Sequence, residues 1–590
     1  MFTDTSLEAS LKTAISLDEP NALLDRFSRW VRESGMPDEL AAGDYIAERL
    51  KALGVPVTVY EPALYLSVPL RSELRVLDGD RSELVTSRPP AFSKPTAGVE
   101  LVGELCYVPS KYAGGMASLF DTADAARSGR AGTDPVRGRI VVTEGFSMPG
   151  NVSSFERRGA IGQIYIHPGR DIHEGICTSI WGAPTADSIG RKPGVPVVCV
   201  NHADGERLAA RAAQGATRVG IQTWLKESWE PCRLPVVDIR GTDDPDEFLL
   251  VHGHYDSWYV GIGDNAVGDA TLLELARLLW THRAQLKRSV RIAWWPGHST
   301  GRYAGSTWFA DEFADEIDEW CIAQLNIDSP GCAGATAYQE VMWMAEAGDL
   351  CRQAIADAVA EPATGLRPLR AGDYSFNQIG PTGFYMLLSN IPVDERQRRG
   401  YYAVGGCGGN IAWHTPNDVM DVADGGIMRR DLQVYVTTIA RVLNAPLYPL
   451  DYTKAVDEIR AAVEPLRDAA RGHVDLSPIV SDLERLRAEM ERWQRGAAAK
   501  LAESGNRPEV RRALNATLRR IARVLVPLNY ARGERFDHDP AVKLPAVPRL
   551  EAAAQLATAP ADALPFLVTG LRRERNKVRA MLRELSRELR

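Results

Sequence analysis

Histidines and aspartates are crowded into one stretch of the sequence, VHGHYDSWYVGIGDNAVGDATLLELARLL, from Val251 to Leu279. His254, Asp256 and Asp264 lie there between an apolar run and a helical pattern. Imidazole nitrogens and carboxylate oxygens are ligand types that Zn²⁺ binds in proteins. Acids before a helix can also serve as helix caps. The stretch alone therefore predicts either a metal site or a capped strand–loop–helix connection.

Three more groups of the metal-ligand type follow other apolar runs. His298 follows SVRIAWWPG, Asp328 lies in IAQLNIDSPG, and His414 lies in NIAWHTPND. Strand and helix patterns alternate over residues 235–450, which predicts an α/β domain with a mixed, mostly parallel sheet. Ligands of such sheets bind beyond the carboxyl ends of the strands. Convergence of these groups at one sheet edge favours the metal site.

Length and charge limit the classes of protein to consider. A chain of 590 residues predicts about three domains, and a net charge of −8 argues against a nucleic-acid binder. The eight cysteines include no C-x-x-C pair, which is typical of reduced thiols in a cytosolic protein. No apolar stretch approaches the roughly 20 residues that span a bilayer. We therefore expect a cytoplasmic protein with no membrane or nucleic-acid partner.

Changes in the sequence pattern along the chain predict four segments. The first ~55 residues contain two helical patterns, β-rich runs begin near residue 99, and three apolar helical stripes follow residue 450. We expect these segments to be an N-terminal part of the α/β domain, a β-rich insertion, the main α/β domain and a helical domain, over residues 1–98, 99–225, 226–450 and 451–590.

This layout resembles the co-catalytic zinc aminopeptidase family that includes glutamate carboxypeptidase and the transferrin receptor. The stretch H-x-D, a short loop, D-N and a helix is the most specific match, and NIDSPG and WHTPNDVMD resemble two further family motifs. The resemblance covers nearly the whole chain. It implies a zinc-peptidase α/β/α domain, a protease-associated insertion and a helical dimerisation domain, and hence a homodimer.

The resemblance also implies roles for individual residues. His254 and Asp328 would bind one metal and His414 the other, while Asp264 would bridge the two metals. Asp256 would accept the other N–H of His254 and orient it. The implied cofactor is Zn²⁺, one or two ions per chain, with Mn²⁺ or Co²⁺ as alternatives.

The chain departs from the family at one motif. A strand should end in two adjacent glutamates, the general base and a metal ligand, but the sequence there is PGHSTGRYAGSTWF. Gly297–His298, His298–Ser299 or Ser299–Thr300 occupy the pair, depending on the alignment. His298 would either replace the ligand, completing a site with Asp264 and His414, or act as the base, or be a core residue.

Three functions remain open from the sequence. The first is a metallohydrolase, similar to an aminopeptidase or carboxypeptidase, that cleaves an amide bond of a short peptide or N-acyl amino acid. The second is a catalytically inactive, receptor-like dimeric binding protein, and the third is a metal-dependent enzyme of another small-molecule class. Candidate substrate contacts are Arg302, Tyr303, Arg370 and Asp373.

Overall fold

The computed structural model describes residues 5–127 and 134–590. Its strands are β1 (Thr58–Tyr60), β2 (Ala63–Asp78), β3 (Arg81–Val85), β4 (Leu101–Tyr107), β5 (Ile140–Glu144), β6 (Gly162–Ile166), β7 (Val197–Val200), β8 (Arg218–Pro231), β9 (Leu234–Ile239), β10 (Asp244–His254), β11 (Arg288–Trp295), β12 (Cys321–Asn326), β13 (Tyr338–Met342), β14 (Ala363–Leu366) and β15 (Thr382–Phe384). Its α-helices are α1 (Ser6–Ala14), α2 (Asp18–Phe27), α3 (Pro37–Ala52), α4 (Asp124–Arg127), α5 (Pro149–Arg157), α6 (His202–Gln214), α7 (Val267–Thr281), α8 (Ala304–Glu312), α9 (Ala314–Trp320), α10 (Gly348–Val359), α11 (Val393–Arg398), α12 (Gly425–Asn444), α13 (Tyr452–Ala469), α14 (Ser477–Glu503), α15 (Pro508–Tyr530) and α16 (Leu564–Glu588).

A six-stranded sheet in the order β1-β9-β11-β10-β12-β15 forms the centre of the α/β domain. The pairs β11–β10, β10–β12 and β12–β15 are parallel, and β9 is antiparallel to both of its neighbours. Both faces of β10 are covered: Leu249 and Val251 pack in one core with α7, and Phe248 and Leu250 in another with α8 and α9. Covering on both faces explains the continuous apolar sequence of β10. The predicted mixed, mostly parallel sheet is confirmed.

A second sheet of seven strands, β3-β2-β8-β4-β5-β6-β7, lies between β1 and β9 in the sequence. We call residues 63–231 the insertion. Its bounds are wider than the predicted 99–225, because β2 pairs with β8 from Ala63↔Pro231 to Leu77↔Arg218. This long antiparallel pair places β2 and β3 in the insertion rather than in the N-terminal part of the α/β domain.

The N-terminal segment contains three helices where two were predicted. The additional helix, α1, buries Leu7 and Leu11 in the core that also holds the apolar face of α7. It is a single short amphipathic helix, and its two buried leucines gave too little periodicity for a prediction.

The C-terminal helices α13 to α16 pack against one another and against the α/β domain. The predicted stripes are buried within this one chain, except for partly buried Trp493 and Met581. The buried members are Ile479, Leu483, Leu486, Met490, Leu514, Leu518, Ile521, Leu525, Val578, Leu582 and Leu585. Their burial accounts for the stripes without a second chain, so the homodimer stays a prediction.

The described residues also show the state of the cysteines and the character of the long helices. All eight cysteines are free and buried. Across residues 5–127 and 134–590, no helix combines the length and the apolar character that a bilayer crossing requires.

Candidate metal centre

The predicted ligands converge at the carboxyl edge of the six-stranded sheet. His254 is the last residue of β10, His298 follows β11, and Asp328 follows β12. Asp264 lies in the turn before α7, and His414 in the long loop between α11 and α12. Parallel β10, β11 and β12 end at the same edge, so these side chains meet there.

The Asp264 carboxylate lies between two imidazoles. Its Oδ1 is 3.1 Å from His254 Nε2, and its Oδ2 is 2.9 Å from His414 Nε2. Asp328 Oδ2 lies 3.8 Å from the same His254 nitrogen. Burial acts to raise the pKa of Asp264, but the two histidines outweigh it and hold the pKa well below its ordinary value. Asp264 therefore presents one carboxylate oxygen to each of the two histidines.

Hydrogen bonds from the far side of each ring set the tautomers of these two histidines. His254 Nδ1 lies 3.0 Å from the backbone carbonyl of Asp256, and His414 Nδ1 lies 2.9 Å from that of Glu174. A carbonyl only accepts, so both Nδ1 atoms carry a proton, and both Nε2 atoms face Asp264, where they are available to a metal. Glu174 belongs to the insertion, which therefore orients one of the candidate ligands.

His298 is held by a carboxylate. Its Nδ1 donates to Asp373 Oδ2 at 2.8 Å, and Asp373 Oδ1 accepts the Ser306 hydroxyl at 2.6 Å. The ligand atoms of His298, His254 and Asp328 lie within 4.8 Å of one another. This grouping differs from the predicted one, in which His298 joined Asp264 and His414.

Asp256 lies beside His254, as predicted, but its shorter hydrogen bonds are made to other groups. Its carboxylate is 3.5 Å from His254 Nδ1, farther than its own carbonyl, and instead accepts the backbone N–H groups of His298 and Ser299 at 3.1 and 2.8 Å. The Ser34 hydroxyl donates to it at 2.7 Å. Burial acts to raise its pKa, but His254 and the other partners lower the pKa to about 2. Asp256 thus positions the loop that carries His298 and does not line the cavity described below.

Two residues that the sequence left without a role connect the loops of the site. The Asn265 side chain accepts the N–H of Ser329 at 2.9 Å and donates to the carbonyls of His254 and Ile327 at 3.1 and 3.0 Å. Asp418 accepts the N–H groups of Gly263 and Asp264 at 2.6 and 3.0 Å. Asn265 lies in the D-N motif and Asp418 in WHTPNDVMD. These two motifs were the signal by which the sequence could have indicated both residues.

A cavity of about 70 Å³ opens above these groups. The candidate ligands Asp264, His298, Asp328 and His414 form part of its wall, together with Arg302 and Tyr303. The insertion supplies the opposite part of the lining, with residues Phe146, Ser147, Met148, His167, Glu174, Gly175 and Ile176. The cavity therefore lies between the α/β domain and the insertion.

The other two predicted substrate contacts lie behind the cavity wall. Arg370 donates to the carbonyl of Asp539 at 2.6 Å and its guanidinium lies 3.6 Å from the Trp181 ring centroid. Asp373 is fully buried and binds His298 and Ser306. Neither residue belongs to the cavity lining, and their main polar contacts are made within the protein, although Arg370 Nε has no hydrogen-bond partner among the described residues.

The donor set fits Zn²⁺. The Nε2 atoms of two imidazoles, each held from its other nitrogen, meet two buried carboxylates beside the cavity, and His298 adds a third imidazole with a carboxylate on its other nitrogen. Zinc sites use these ligand types, and their histidines donate the other N–H to carboxylates or carbonyls. Acids this crowded and buried are stabilised by a cation.

Comparisons with known proteins agree with this geometry. The model of "Peptidase family M28" matches residues 236–437. Aminopeptidase NAALADL1 of Mus musculus is 34% identical over 102 residues, which cover 17% of this chain and 14% of the mouse protein. The match thus spans a small part of that relative.

Solved structures share the fold at low identity. A zinc aminopeptidase from Bacillus subtilis superposes with a TM-score of 0.51 at 17% identity, covering 73% of this chain and 96% of that one. A peptidase M28 precursor from Shewanella amazonensis gives a TM-score of 0.53 at 16% identity, covering 75% and 96%. The chain thus shares its fold with these two structures, and residues 236–437 match the model of peptidase family M28.

Proposed function

We propose that the protein is a zinc-dependent hydrolase that cleaves a peptide or N-acyl amide bond of a small substrate. The observation that carries the proposal is the Asp264 carboxylate between His254 and His414, at 3.1 and 2.9 Å, in the wall of a cavity. His254, Asp264, Asp328 and His414 would hold a zinc ion there, and the ion would supply polarisation of a carbonyl group and activation of a water molecule.

The chain's own residues would perform the remaining tasks. Asp264 and Asp328 supply negative charge at the cavity floor, and the Asp256 and Glu174 carbonyls keep His254 and His414 in the tautomer that presents Nε2. Asp373 holds the Nδ1 proton of His298, leaving Nε2 for a metal or for a proton from the reacting water. The insertion covers one side of the cavity and reduces its contact with bulk solvent, which strengthens charge interactions inside it.

The test combines metal analysis with a substrate screen. Protein purified without chelator is expected to contain zinc and to hydrolyse at least one member of a panel of N-acyl amino acids, dipeptides and amino-acid amides, with Zn²⁺, Mn²⁺ or Co²⁺ added. Asp264→Ala should abolish both properties, whereas the exposed control His202→Ala should retain them. Substoichiometric metal, below about half an equivalent per chain, would reject the proposal.

A receptor-like binding protein is the second candidate, and the missing glutamate pair after β11 favours it. The cavity lining contains His298 and Ser299 at that position and no glutamate from the same loop. Metal binding without turnover of any panel member would support this candidate. Light scattering at micromolar concentration tests the predicted homodimer for either function.

A further inference from the structure

Arg302 is a buried cation in the cavity wall that lies 5.0 Å from the Tyr303 ring centroid but has no anionic partner among the described residues. Its side chain is 4% exposed, and its Nε and Nη2 atoms donate to no acceptor within the described part of the chain. None of the ion pairs among the described residues includes it. A buried, unpaired charge is costly, and a bound anion would remove that cost.

The backbone keeps Arg302 at the cavity. Its carbonyl accepts the N–H of Gly182 at 2.6 Å, which ties the α/β loop to the insertion. Arg302 and Tyr303 both have left-handed φ angles, 51° and 70°, which are uncommon for residues other than glycine. The Tyr303 ring packs on that of Trp181 with centroids 4.2 Å apart. Packing and hydrogen bonding therefore determine the position of this turn.

The unpartnered atoms are those that a carboxylate would engage. Nε and Nη2 lie on one edge of the guanidinium and present parallel N–H bonds, the arrangement that binds both oxygens of a carboxylate. Arg370 lies close enough to Arg302 for the two charges to repel, and this interaction contributes to the lowering of the Arg370 pKa to about 10, after burial, which is the largest cause. A second cation nearby adds to the positive potential at this end of the cavity.

His167 contributes a second unpartnered donor, from the insertion. Its Nδ1 accepts the backbone N–H of His173 at 2.9 Å, so the proton of the neutral ring is on Nε2. Burial, with His173 as a smaller cause, lowers the pKa of His167 well below its ordinary value, and the ring is neutral. Nε2 is buried, has no partner among the described residues, and belongs to a residue that lines the cavity.

Most of the remaining wall is apolar. Its apolar members come from both sides of the cavity and include Phe120, Phe146, Met148, Trp258, Met386 and Trp413. Such a lining binds an apolar or aromatic group, while a few fixed polar groups determine its orientation.

We propose that the substrate is an anionic N-acyl amino acid or short peptide with an apolar side chain, whose free carboxylate is bound by the Nε and Nη2 atoms of Arg302. His167 Nε2–H binds a second acceptor, such as a carbonyl oxygen. The identity of the cleaved bond rests on the hydrolase function proposed above. Recognition of the carboxylate does not depend on hydrolysis and is tested by binding.

The test compares two probes that differ only in carrying a carboxylate or a primary amide. Binding of N-acetyl-L-phenylalanine and of its primary amide to the metal-loaded protein is measured by calorimetry in wild type, Arg302→Met and the exposed control Arg471→Met. Wild type and the control are expected to bind the acid at least tenfold more tightly than the amide. Arg302→Met should lose that preference and His167→Phe should weaken both probes several-fold.

Two binding outcomes would contradict the proposal. If Arg302→Met still prefers the acid, the carboxylate is bound by the metal and not by Arg302. If wild type binds both probes equally or binds neither, recognition by Arg302 is rejected. A structural role predicts a lower melting temperature for Arg302→Met, whereas a binding role predicts an unchanged or higher one. Acid preference without hydrolysis of any substrate would leave this inference standing and reject the hydrolase, and hydrolysis without acid preference would do the reverse.

Discussion

The ring of His298 lies on the ring of His254, with centroids 3.7 Å apart and planes inclined by 13°. Asp373 holds the outer nitrogen of His298, and Asp256 holds its backbone N–H. The residue that stands where the family has a glutamate is thus packed against one candidate ligand and fixed by two buried carboxylates. This arrangement ties His298 to the half of the site formed by His254 and Asp328.

Replacing His298 by alanine is expected to weaken zinc binding. The variant loses an imidazole from the cluster with His254 and Asp328, and loss of a supporting group alone typically costs about 10–100-fold in metal affinity. Metal content after dialysis and zinc affinity by competition with a chelator measure the effect.

The control for this variant is His202→Ala, at a half-exposed histidine of the insertion. Unchanged metal content with lost turnover in His298→Ala would instead identify His298 as the proton acceptor. Unchanged metal content with a lower melting temperature would make it a packing residue.

Replacing Asp256 by asparagine should reduce metal affinity or turnover by about 10–100-fold without unfolding the protein. The carboxylate accepts two backbone N–H groups and the Ser34 hydroxyl, and an amide has one oxygen in place of two. The loop carrying His298 would lose one of its anchors. Zinc titration measures the metal affinity, and the far-UV circular dichroism spectrum shows whether the variant is folded. Wild-type zinc affinity in Asp256→Asn would show that this anchoring is dispensable.

Replacing Glu247 by alanine is expected to destabilise the protein by about 3 kcal/mol or more. Its carboxylate pairs with Arg288 at 2.9 Å and with Arg519 of α15 at 2.5 Å, so the change leaves two buried cations without their anion. Chemical denaturation measures the loss. Asp25→Ala is the matched control, since its pair with Arg29 is exposed and is worth less than about 1 kcal/mol. A similar loss in both variants would contradict the argument.

Glu346 is expected to make stability fall as the pH rises from about 4.3 to 7. Burial raises the pKa of its carboxyl to about 7, so the folded state keeps a proton that the unfolded state releases near pH 4.3. Stability is therefore full below the unfolded pKa and decreases by up to about 3 kcal/mol as the pH reaches the folded value.

Glu346→Gln should remove this decrease, because the amide remains neutral and accepts the Thr382 hydroxyl in the same way. Free energies of unfolding at pH 5 and pH 7.5 in both proteins are the measurement. Glu509→Gln, at an exposed position, should keep the wild-type difference. An equal pH dependence in wild type and Glu346→Gln would show that Glu346 is ionised without cost in the folded state.

Local sequence patterns predicted the elements and the positions of the metal-type residues. Apolar runs such as those of β10 and β11 encode strands directly, and the residues at their ends, His254 and His298, follow from where the runs stop. The first insertion strands were assigned to the wrong segment, because β2 becomes part of the insertion only by pairing with β8.

The sequence by itself determined the α/β class, the edge of the sheet where the site lies, and the residues His254, Asp264, Asp328 and His414 that meet there. Only the tertiary structure decided which partners each of them has. The Glu174 carbonyl that orients His414 and the His167 donor in the cavity come from another sheet, far away in the chain. Such contacts depend on how two separately folded layers pack, and neither periodicity nor motif spacing encodes that packing. For the same reason, the short loop after β11 left His298 uncertain until its stacking on His254 was visible.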